Sequence, residues 1–264
     1  MTVAADVHIV KRRMDDYLWR EKTLASRRLR HVLGTHFYKF ENVAIVGGMV
    51  RDFARVGKTG FLSDVDLVVD APPSEVADLA RTIDAKANSF GGFSLAEPGW
   101  NVDFWALETT WAVREGHVRA RGLPDFPRST FFNYDAILYD IRKRRVLCGD
   151  TYFAGLHQKV MEINLLPNPT TVGNLYRAVR RILLWDLSAG PKLQAFIRDN
   201  LDESGFRDVV KADNRKSATP FLYKYKSAQE LSQAVMCKEY RRSMATYYGA
   251  QLSFPGFCHP QHPV

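Results

Sequence analysis

The segment from residue 43 to residue 70 constrains the chain most, because it joins two strand-like runs through a pair of glycines. It reads VAIVGGMVRDFARVGKTGFLSDVDLVVD. The apolar run at 43–46 ends at Gly47 and Gly48, and a helical pattern follows from residue 49 to residue 56. This order predicts a strand, a glycine turn and a helix, and then a second strand.

The second strand carries two carboxylates at alternate positions, Asp64 and Asp66. Side chains alternate between the two faces of a strand, so these acids point the same way, while Val65 and Leu67 point into the core. Hard divalent cations bind oxygen ligands, and a helix start preceded by glycines favours phosphate. The segment therefore predicts a site for a metal ion and a phosphate chain.

A third acid, Asp103, lies on a later strand. Val102 and Phe104 alternate with Asp103, which predicts that the acid faces away from the core. The turn at Pro98-Gly99 predicts that this strand pairs antiparallel with a strand near 93–96. Asp103 is a candidate metal ligand, or the base that accepts the proton of an attacking hydroxyl. Two metals about 4 Å apart clamp the attacking and leaving oxygens of an in-line phosphoryl transfer.

Composition indicates a soluble globular chain. Its 264 residues are 46% hydrophobic and 25% charged, enough for one sizeable core or two modest domains. No apolar stretch approaches the roughly 18 residues of a membrane span, so we expect no membrane partner. The three cysteines, Cys148, Cys237 and Cys258, are far apart, which favours a reducing, cytoplasmic location over a disulfide framework.

Charge is distributed unevenly along the chain. Residues 1–40 carry nine Lys or Arg and four Asp or Glu, and residues 151–264 carry fifteen and nine. Residues 41–150 carry thirteen and sixteen, so the centre is acidic. An acidic centre with basic ends suits a metal-using site that is approached by a polyanion such as RNA. The alternative is a basic but inert surface, because surplus Lys and Arg alone are a weak signal.

The pattern of elements predicts an α+β fold, in which a mixed sheet with flanking helices is followed by a smaller all-helical domain. Residues 1–40 are predicted to form a basic N-terminal helix packed on the head, and residues 41–150 the head itself. Residues 151–264 are predicted to form the helical domain, with a flexible tail. Within it, the polar stretch 211–220 reads as a loop.

The N-terminal region is predicted to contain one continuous helix over residues 7–33. Val10, Met14, Leu18 and Leu24 recur at helical spacing among many Lys and Arg residues. The basic residues allow two interpretations, a helix near a phosphate backbone or a solvated outer face of a helix packed on the core.

Several motifs together resemble a known family. Gly47 to Asp52, followed by Ser63 to Asp66, resembles the GG-x-V-R-D … D-x-D signature of tRNA nucleotidyltransferases and bacterial poly(A) polymerases. These are class II members of the polymerase β-type nucleotidyltransferase superfamily. Arg128 to Asn133 resembles the family's R-R-D-F-T-x-N segment, and Arg177 to Arg180 resembles its R-A-x-R helix. The similarity extends over roughly residues 40–187.

The resemblance implies a nucleotidyltransferase head and a specific chemistry. An NTP such as ATP would donate its NMP to a hydroxyl, preferably the 3′ end of a tRNA-like RNA, with release of pyrophosphate and with Mg²⁺ or Mn²⁺ as cofactor. Asp64, Asp66 and Asp103 would be the catalytic acids and metal ligands. The nucleotide-binding residues implied by the match are Gly47, Gly48, Arg51, Asp52, Ser63, Asn133, Arg177 and Arg180.

The match departs from the family at three places. Ser129 stands where the family's R-R-D-F-T segment has Asp. Tyr134 and Asp135 stand as two additional residues after Asn133, and residues 171–174 replace the E-D-x-x-R entry to the Arg helix. Two alternatives therefore stay open. One is nucleotidylation of a small molecule or a protein, as in antibiotic-modifying, toxin or defence-type enzymes, and the other is a degenerate head that only binds RNA. The intact acids argue against the second alternative.

Overall fold

The computed structural model describes residues 2–61 and 64–247, so the predicted nucleotide contact Ser63 and the predicted flexible tail after residue 247 lie outside the described part. The chain divides into two units, Met1–Pro169 and Thr170–Val264, which are called the head unit and the helical unit below. Among the described residues, no helix combines the length and apolarity that crossing a membrane requires.

A mixed sheet forms the centre of the head unit, and seven of its strands lie in the described residues, in the order β3-β4-β5-β2-β1-β6-β7. The pair β2 and β5 is parallel, and the other neighbouring strands are antiparallel. The predicted mixed sheet is thus confirmed. The strands are β1 (Val43–Val46), β2 (Val65–Val69), β3 (Lys86–Ala87), β4 (Phe93–Glu97), β5 (Trp100–Ala106), β6 (Ile137–Asp140) and β7 (Arg145–Cys148).

Helices flank this sheet, and α3 packs against β1, β2 and β6. The central strands are apolar because both of their faces are covered: all four residues of β1 and of β6 are buried. A short strand, β8 (Val160–Met161), follows the last helix of the head unit. The helices of this unit are α1 (Val7–Asp15), α2 (Leu24–Val32), α3 (Gly48–Arg55), α4 (Pro73–Thr82), α5 (Trp111–Arg114) and α6 (Tyr152–Gln158).

The prediction of one continuous helix over residues 7–33 is wrong. A π-helical turn at Asp16–Arg20 ends α1, and Glu21 is extended before Thr23 caps the start of α2. The broken backbone is satisfied by side chains, because Arg30 donates to the Leu18 carbonyl at 2.5 Å and to the Glu21 carbonyl at 2.8 Å. Leu24, which was predicted to lie on the apolar side of the continuous helix, follows this break and is 56% exposed.

The division between the units also differs from the predicted boundary near residue 150. Residues 151–169 belong to the head unit. Asn133 attaches this segment to the rest of the head unit. Its side chain donates to the Val160 carbonyl at 3.1 Å and accepts from the Glu162 N–H at 2.9 Å. A β-bridge between Phe132 and Ile163 adds to the same connection.

The helical unit contains, apart from the two-residue strand β9 (Ser188–Ala189), helices in its described part. The predicted loop over 211–220 is wrong in its first half, because a helix continues to Lys216. Asp202 caps this helix by accepting from the Gly205 N–H, and the buried Asp213 fixes its inner face. The helices are α7 (Thr171–Trp185), α8 (Pro191–Asn200), α9 (Glu203–Lys216), α10 (Ala228–Met236) and α11 (Lys238–Tyr247).

Candidate active site

The parallel pairing of β2 with β5 brings two of the predicted acids together. Asp66 and Asp103 are direct partners in the register of these strands. Directly paired residues on neighbouring strands have their side chains on the same face of the sheet. Residues 37 positions apart in the chain therefore place two carboxylates side by side.

The opposite face of the same strands is core, as the alternating pattern predicts. Val65, Leu67, Val102 and Phe104 are fully buried. The face that carries Asp66 and Asp103 is called the acid face below. Further along this face an apolar cluster covers the sheet, and its buried members are Ala44, Val46, Val68, Leu107, Leu123, Phe126 and Leu138. The acids thus lie at the edge of a region that excludes water.

Gly47 lies directly against Asp66. A Cβ at Gly47 would be 3.0 Å from Oδ2 of Asp66, and the backbone of Gly47 has a φ of +64°. Both facts require glycine, since a side chain would be strained there and would press on the carboxylate. Gly48 begins α3, and within the described chain no side chain caps its first turn. The first N–H groups of a helix lack intrahelical partners, so they are available to an anion.

Asp66 is the most perturbed acid of the site. Burial raises the pKa of its carboxyl to about 7, the negative charges of Asp103 and Asp64 add to this effect, and Arg51 opposes it. Like charges close together disfavour ionisation in a water-poor environment. The three acids therefore form a region of concentrated negative charge, in which ionisation of Asp66 is costly.

Two polar residues that the sequence patterns did not single out hold the other acids. The Ser94 hydroxyl donates a short hydrogen bond to Oδ1 of Asp103, and the Asn101 amide donates to Oδ1 of Asp64 at 3.3 Å. Ser94 could have been found from the turn at Pro98-Gly99, because a hairpin closed by Glu97 and Trp100 pairs Ser94 with Asp103.

The carboxylates of the acid face provide oxygen atoms, which are the ligands that a hard divalent cation requires. In the described residues, no group of three or more His, Cys, Asp or Glu side chains is arranged to hold a metal ion by itself. Mg²⁺, however, is usually bound by one or two carboxylates together with substrate phosphates and water. The adjacent carboxylates of Asp66 and Asp103 fit that arrangement, since a cation would offset the burial and the repulsion that together raise the pKa of Asp66.

Arg51 and Asp52 lie in a buried charge network beside the acids. The Arg51 guanidinium donates to both oxygens of Asp52 at 3.0 Å and to Oδ1 of Asp135 at 2.8 Å. Burial acts to lower the pKa of Arg51, but Asp135 and Asp52 outweigh burial and raise it above its usual value. The family resemblance allows Arg51 and Asp52 either to contact the nucleotide or to support the glycine loop, and this geometry favours support.

The geometry favours a supporting role for Asn133 as well. Both ends of its side-chain amide bond the backbone of residues 160–162, so the amide holds that segment on the sheet. Gly155 packs against it, because a Cβ there would be 2.6 Å from Nδ2 of Asn133.

The two predicted arginines of the helical unit differ from each other. Arg177 is exposed and donates to Oδ1 of Asn174 at 2.6 Å. Arg180 is half-buried, donates a short hydrogen bond to the fully buried Asp213 and has its guanidinium over the ring of Phe221 at 5.0 Å. Arg180 therefore serves the packing of its own unit.

The structure thus brings Gly47, Asp66 and Asp103 into one site and places Asp64 at its edge. Arg51 and Asp52 lie behind the site, and Asn133 is engaged in holding residues 160–162. Asp135 is the residue that sequence reasoning noticed only as an additional position, and no local signal indicated its contact with Arg51.

Comparison with known proteins supports the fold. No protein-family model matches the chain, and no curated protein matches it. The crystal structure of *Bacillus stearothermophilus* CCA-adding enzyme in complex with CTP is similar at a TM-score of 0.52 and 17% identity, over 81% of this chain and 53% of that chain. A tRNA-processing enzyme with CTP has a TM-score of 0.48 and 19% identity, over 77% of this chain and 54% of that one.

The chain spans about half the length of these two proteins, 53% and 54%. The similarity to the CCA-adding enzyme, at 17% identity, shows a nucleotidyltransferase-type fold, and function rests on the site.

Proposed function

We propose that the chain is a metal-dependent nucleotidyltransferase that moves an NMP from an NTP to a hydroxyl acceptor and releases pyrophosphate. The observation that carries the proposal is the register of β2 and β5, which pairs Asp66 with Asp103 beside the glycine turn of α3. A carboxylate pair next to free backbone N–H groups suits a triphosphate with its cation. The nucleotidyltransferase-type fold is consistent with this chemistry.

Each residue of the site has a role in the proposed reaction. Asp66 and Asp103, with Asp64 at the edge, would hold Mg²⁺ or Mn²⁺. A bound divalent cation would neutralise phosphate charge that develops during transfer. Gly47 and Gly48 would let the triphosphate approach the backbone N–H groups of α3.

Asp103 is the group suited to activate the acceptor. The acceptor oxygen forms a bond to the α-phosphorus, the bond from that phosphorus to the bridging oxygen breaks, and pyrophosphate leaves. The proton of the acceptor hydroxyl would pass to the Asp103 carboxylate, which Ser94 holds in place by its hydrogen bond. Arg51 and Asp52 would keep the start of α3 aligned with the acids.

We propose the 3′ end of an RNA, tRNA-like in structure, as the preferred acceptor. The basic surplus of residues 151–264, fifteen Lys or Arg against nine Asp or Glu, supports a polyanionic acceptor, and we assign nucleotide or acceptor binding to this part of the chain. A small molecule or a protein as the acceptor remains the second candidate. Replacement of the family's E-D-x-x-R entry by residues 171–174 bears on which nucleotide is used, so all four NTPs are candidates.

An acceptor screen tests the proposal. Each of the four NTPs, labelled at the α-phosphate, is incubated with the protein and Mg²⁺ and with either total RNA, total protein or a set of aminoglycosides and nucleosides. We expect label in RNA and lengthening of its 3′ end. Periodate-oxidised RNA, which lacks a 3′ hydroxyl, is the matched control and should take up no label.

Other results decide between the candidates. Label that is confined to protein or to a small molecule would contradict RNA as the acceptor and support the second candidate. No label in any acceptor, with any NTP, would contradict nucleotidyl transfer and support a head that only binds RNA.

A further inference from the structure

The outer face of α9 carries a row of three cations, Arg207, Lys211 and Arg215. Residues at i, i+4 and i+8 of a helix lie on one side, about 6 Å apart along its axis. All three side chains are exposed. We call this row the α9 basic row.

The orientation of this row is fixed by the opposite side of the helix. Val209, Ala212 and Asp213 are buried there, and α9 packs against α7. Asp213 accepts from Arg180 and from the backbone N–H groups of Phe221 and Leu222, so the helix cannot rotate without breaking a buried network. The basic row is therefore held towards solvent.

Within the described residues, the row differs from two arginines of the same unit, Arg180 and Arg241, which have acidic partners. In the described residues, none of its three side chains makes a hydrogen bond or an ion pair. Arg180 is paired with Asp213, and Arg241 is paired with Asp186 at 3.1 Å. Within the described chain, neither Glu203 nor Asp208 forms an ion pair with the row, and Glu203 instead accepts from the Ala228 N–H at 3.0 Å.

A shallow groove runs beside the row. It has a volume of about 540 Å³ and is lined by the three cations together with Phe206, Val210 and Asn214. Phe206 and Val210 are half-buried, so they offer apolar surface next to the charges. Charges in a line with an aromatic ring beside them suit a nucleic-acid strand, in which phosphates lie on one side and bases on the other.

We propose that the α9 basic row binds the phosphodiester backbone of RNA. The inference deepens the proposed function, on which it rests for the choice of RNA, and it assigns part of the acceptor contact to this surface. An acidic protein segment is the other occupant that these charges would accept. The linear spacing of the cations and the adjacent Phe206 favour RNA.

Direct binding tests the proposal without any catalysis. The full chain is titrated into a 5′-fluorescent single-stranded RNA with a free 3′ hydroxyl, in EDTA and without NTP, between about 50 and 200 mM salt. The test variant is R207Q/K211Q/R215Q. The matched control is R198Q/K224Q/K226Q, which removes three exposed cations that are scattered over the same unit.

We expect the test variant to bind RNA on the order of 10- to 100-fold more weakly, because each phosphate contact on a single strand contributes about 0.7 to the slope of log K against log salt. The loss of three contacts should therefore make the salt dependence of binding weaker, with the magnitude of the slope smaller by about 2 in the test variant. The control should stay close to the wild type. The charge-preserving variant R207K/R215K should keep the wild-type slope, and equal melting temperatures show that the variants are folded.

Equal losses in the test and control variants would overturn the proposal. So would a test variant that binds RNA normally but loses binding to poly-glutamate, which would assign the surface to an acidic protein. This test and the acceptor screen can fail independently. If the test variant shows the expected change in salt slope but the wild-type protein labels no acceptor, only the proposed catalysis is contradicted. Conversely, RNA labelling with an unchanged slope contradicts only this surface.

Discussion

Gly47 shows how one residue can limit the whole site. Its backbone has positive φ and its missing side chain leaves room for the Asp66 carboxylate, 3.0 Å from where a Cβ would lie. The volume that a side chain at Gly47 would occupy is thus next to the Asp66 carboxylate on β2, at the turn that begins α3. Any side chain here changes both the backbone and the position of an Asp66 carboxylate oxygen.

Replacement of Gly47 by Ala should therefore reduce both stability and activity. We expect Gly47→Ala to lower the free energy of unfolding by about 1 to 3 kcal/mol, since a non-glycine residue is strained at this φ. Nucleotide incorporation should fall about 10-fold or more, through displacement of Asp66. Urea unfolding and an incorporation assay measure the two effects. Gly34→Ala is the control, because nothing lies within 4 Å of its Cβ position, and equal behaviour of the two variants would contradict this account.

Arg51 is the second residue on which the site depends. It is 8% exposed and bonds Asp52 and Asp135 together, so its removal takes a shared cation from two carboxylates, of which Asp52 keeps its longer contact with Arg55 at 3.7 Å. We expect Arg51→Met to lower the free energy of unfolding by about 3 to 5 kcal/mol. Chemical denaturation measures the loss.

The control for Arg51 is an exposed pair of similar length. Arg20 and Asp16 are 2.8 Å apart with exposed side chains, and surface pairs contribute about 0 to 1 kcal/mol. Arg20→Met should thus be nearly neutral. A loss at Arg51 no larger than that at Arg20 would show that the buried network does not stabilise the head.

At the scale of elements, Asp15 at the end of α1 ties that helix to the β6–β7 hairpin. Its buried carboxylate accepts from the Tyr139 hydroxyl at 2.6 Å and pairs with Lys11 at 2.6 Å and Arg144 at 3.0 Å. Burial acts to raise the pKa of Asp15, but the hydrogen bonds from Arg144, Lys11 and Tyr139 outweigh it and hold the pKa below its usual value. The carboxylate therefore stabilises the docking of α1 on the sheet.

Asp15→Asn should lower the free energy of unfolding by about 2 to 4 kcal/mol at pH 7. A lowered pKa in the folded state means that the contribution is complete above the unfolded value of about 4 and is lost as pH falls through the folded value. The difference between wild type and variant should thus shrink below about pH 4. Denaturation at several pH values measures it, with the exposed neighbour Asp16→Asn as control. A difference that grows towards low pH would contradict the assignment.

Local patterns predicted the elements that carry the site. Alternation of side chains along β2 and β5 placed Asp66 and Asp103 away from the core, and the glycine pair marked the start of α3. What local patterns could not show was which strands are neighbours. The parallel pairing of β2 with β5 depends on packing of the whole head, and so does the contact between Arg51 and Asp135.

The incorrect predictions have a related cause. Helical spacing continued through Glu21, but hydrogen bonds from Arg30 to carbonyls stabilise a break there. In residues 211–216, polar composition indicated a loop, whereas the buried Asp213 makes the polar stretch part of α9. Polar side chains with specific buried partners thus override the pattern in both places.

At the scale of the whole molecule, some basic residues make contacts that stabilise the fold, and others point to solvent. In the head unit Arg13 donates to the Phe53 carbonyl at 2.7 Å, and Arg144 pairs with Asp15. These cations hold the fold together. Within the described residues, the α9 basic row of the helical unit makes no such contacts, which is why the net charge of +8 alone says little about where a polyanion binds.

The central claim is that Asp66 and Asp103 act together in nucleotidyl transfer. The most direct measurement compares α-labelled NTP incorporation into RNA by the wild type with incorporation by Asp66→Asn, Asp103→Asn and the exposed control Asp150→Asn, in Mg²⁺ and in EDTA. We predict a loss of about 100-fold or more in both site variants, no loss in the control, and no incorporation by any of them in EDTA. Wild-type rates in either site variant, or incorporation that persists in EDTA, would contradict the account.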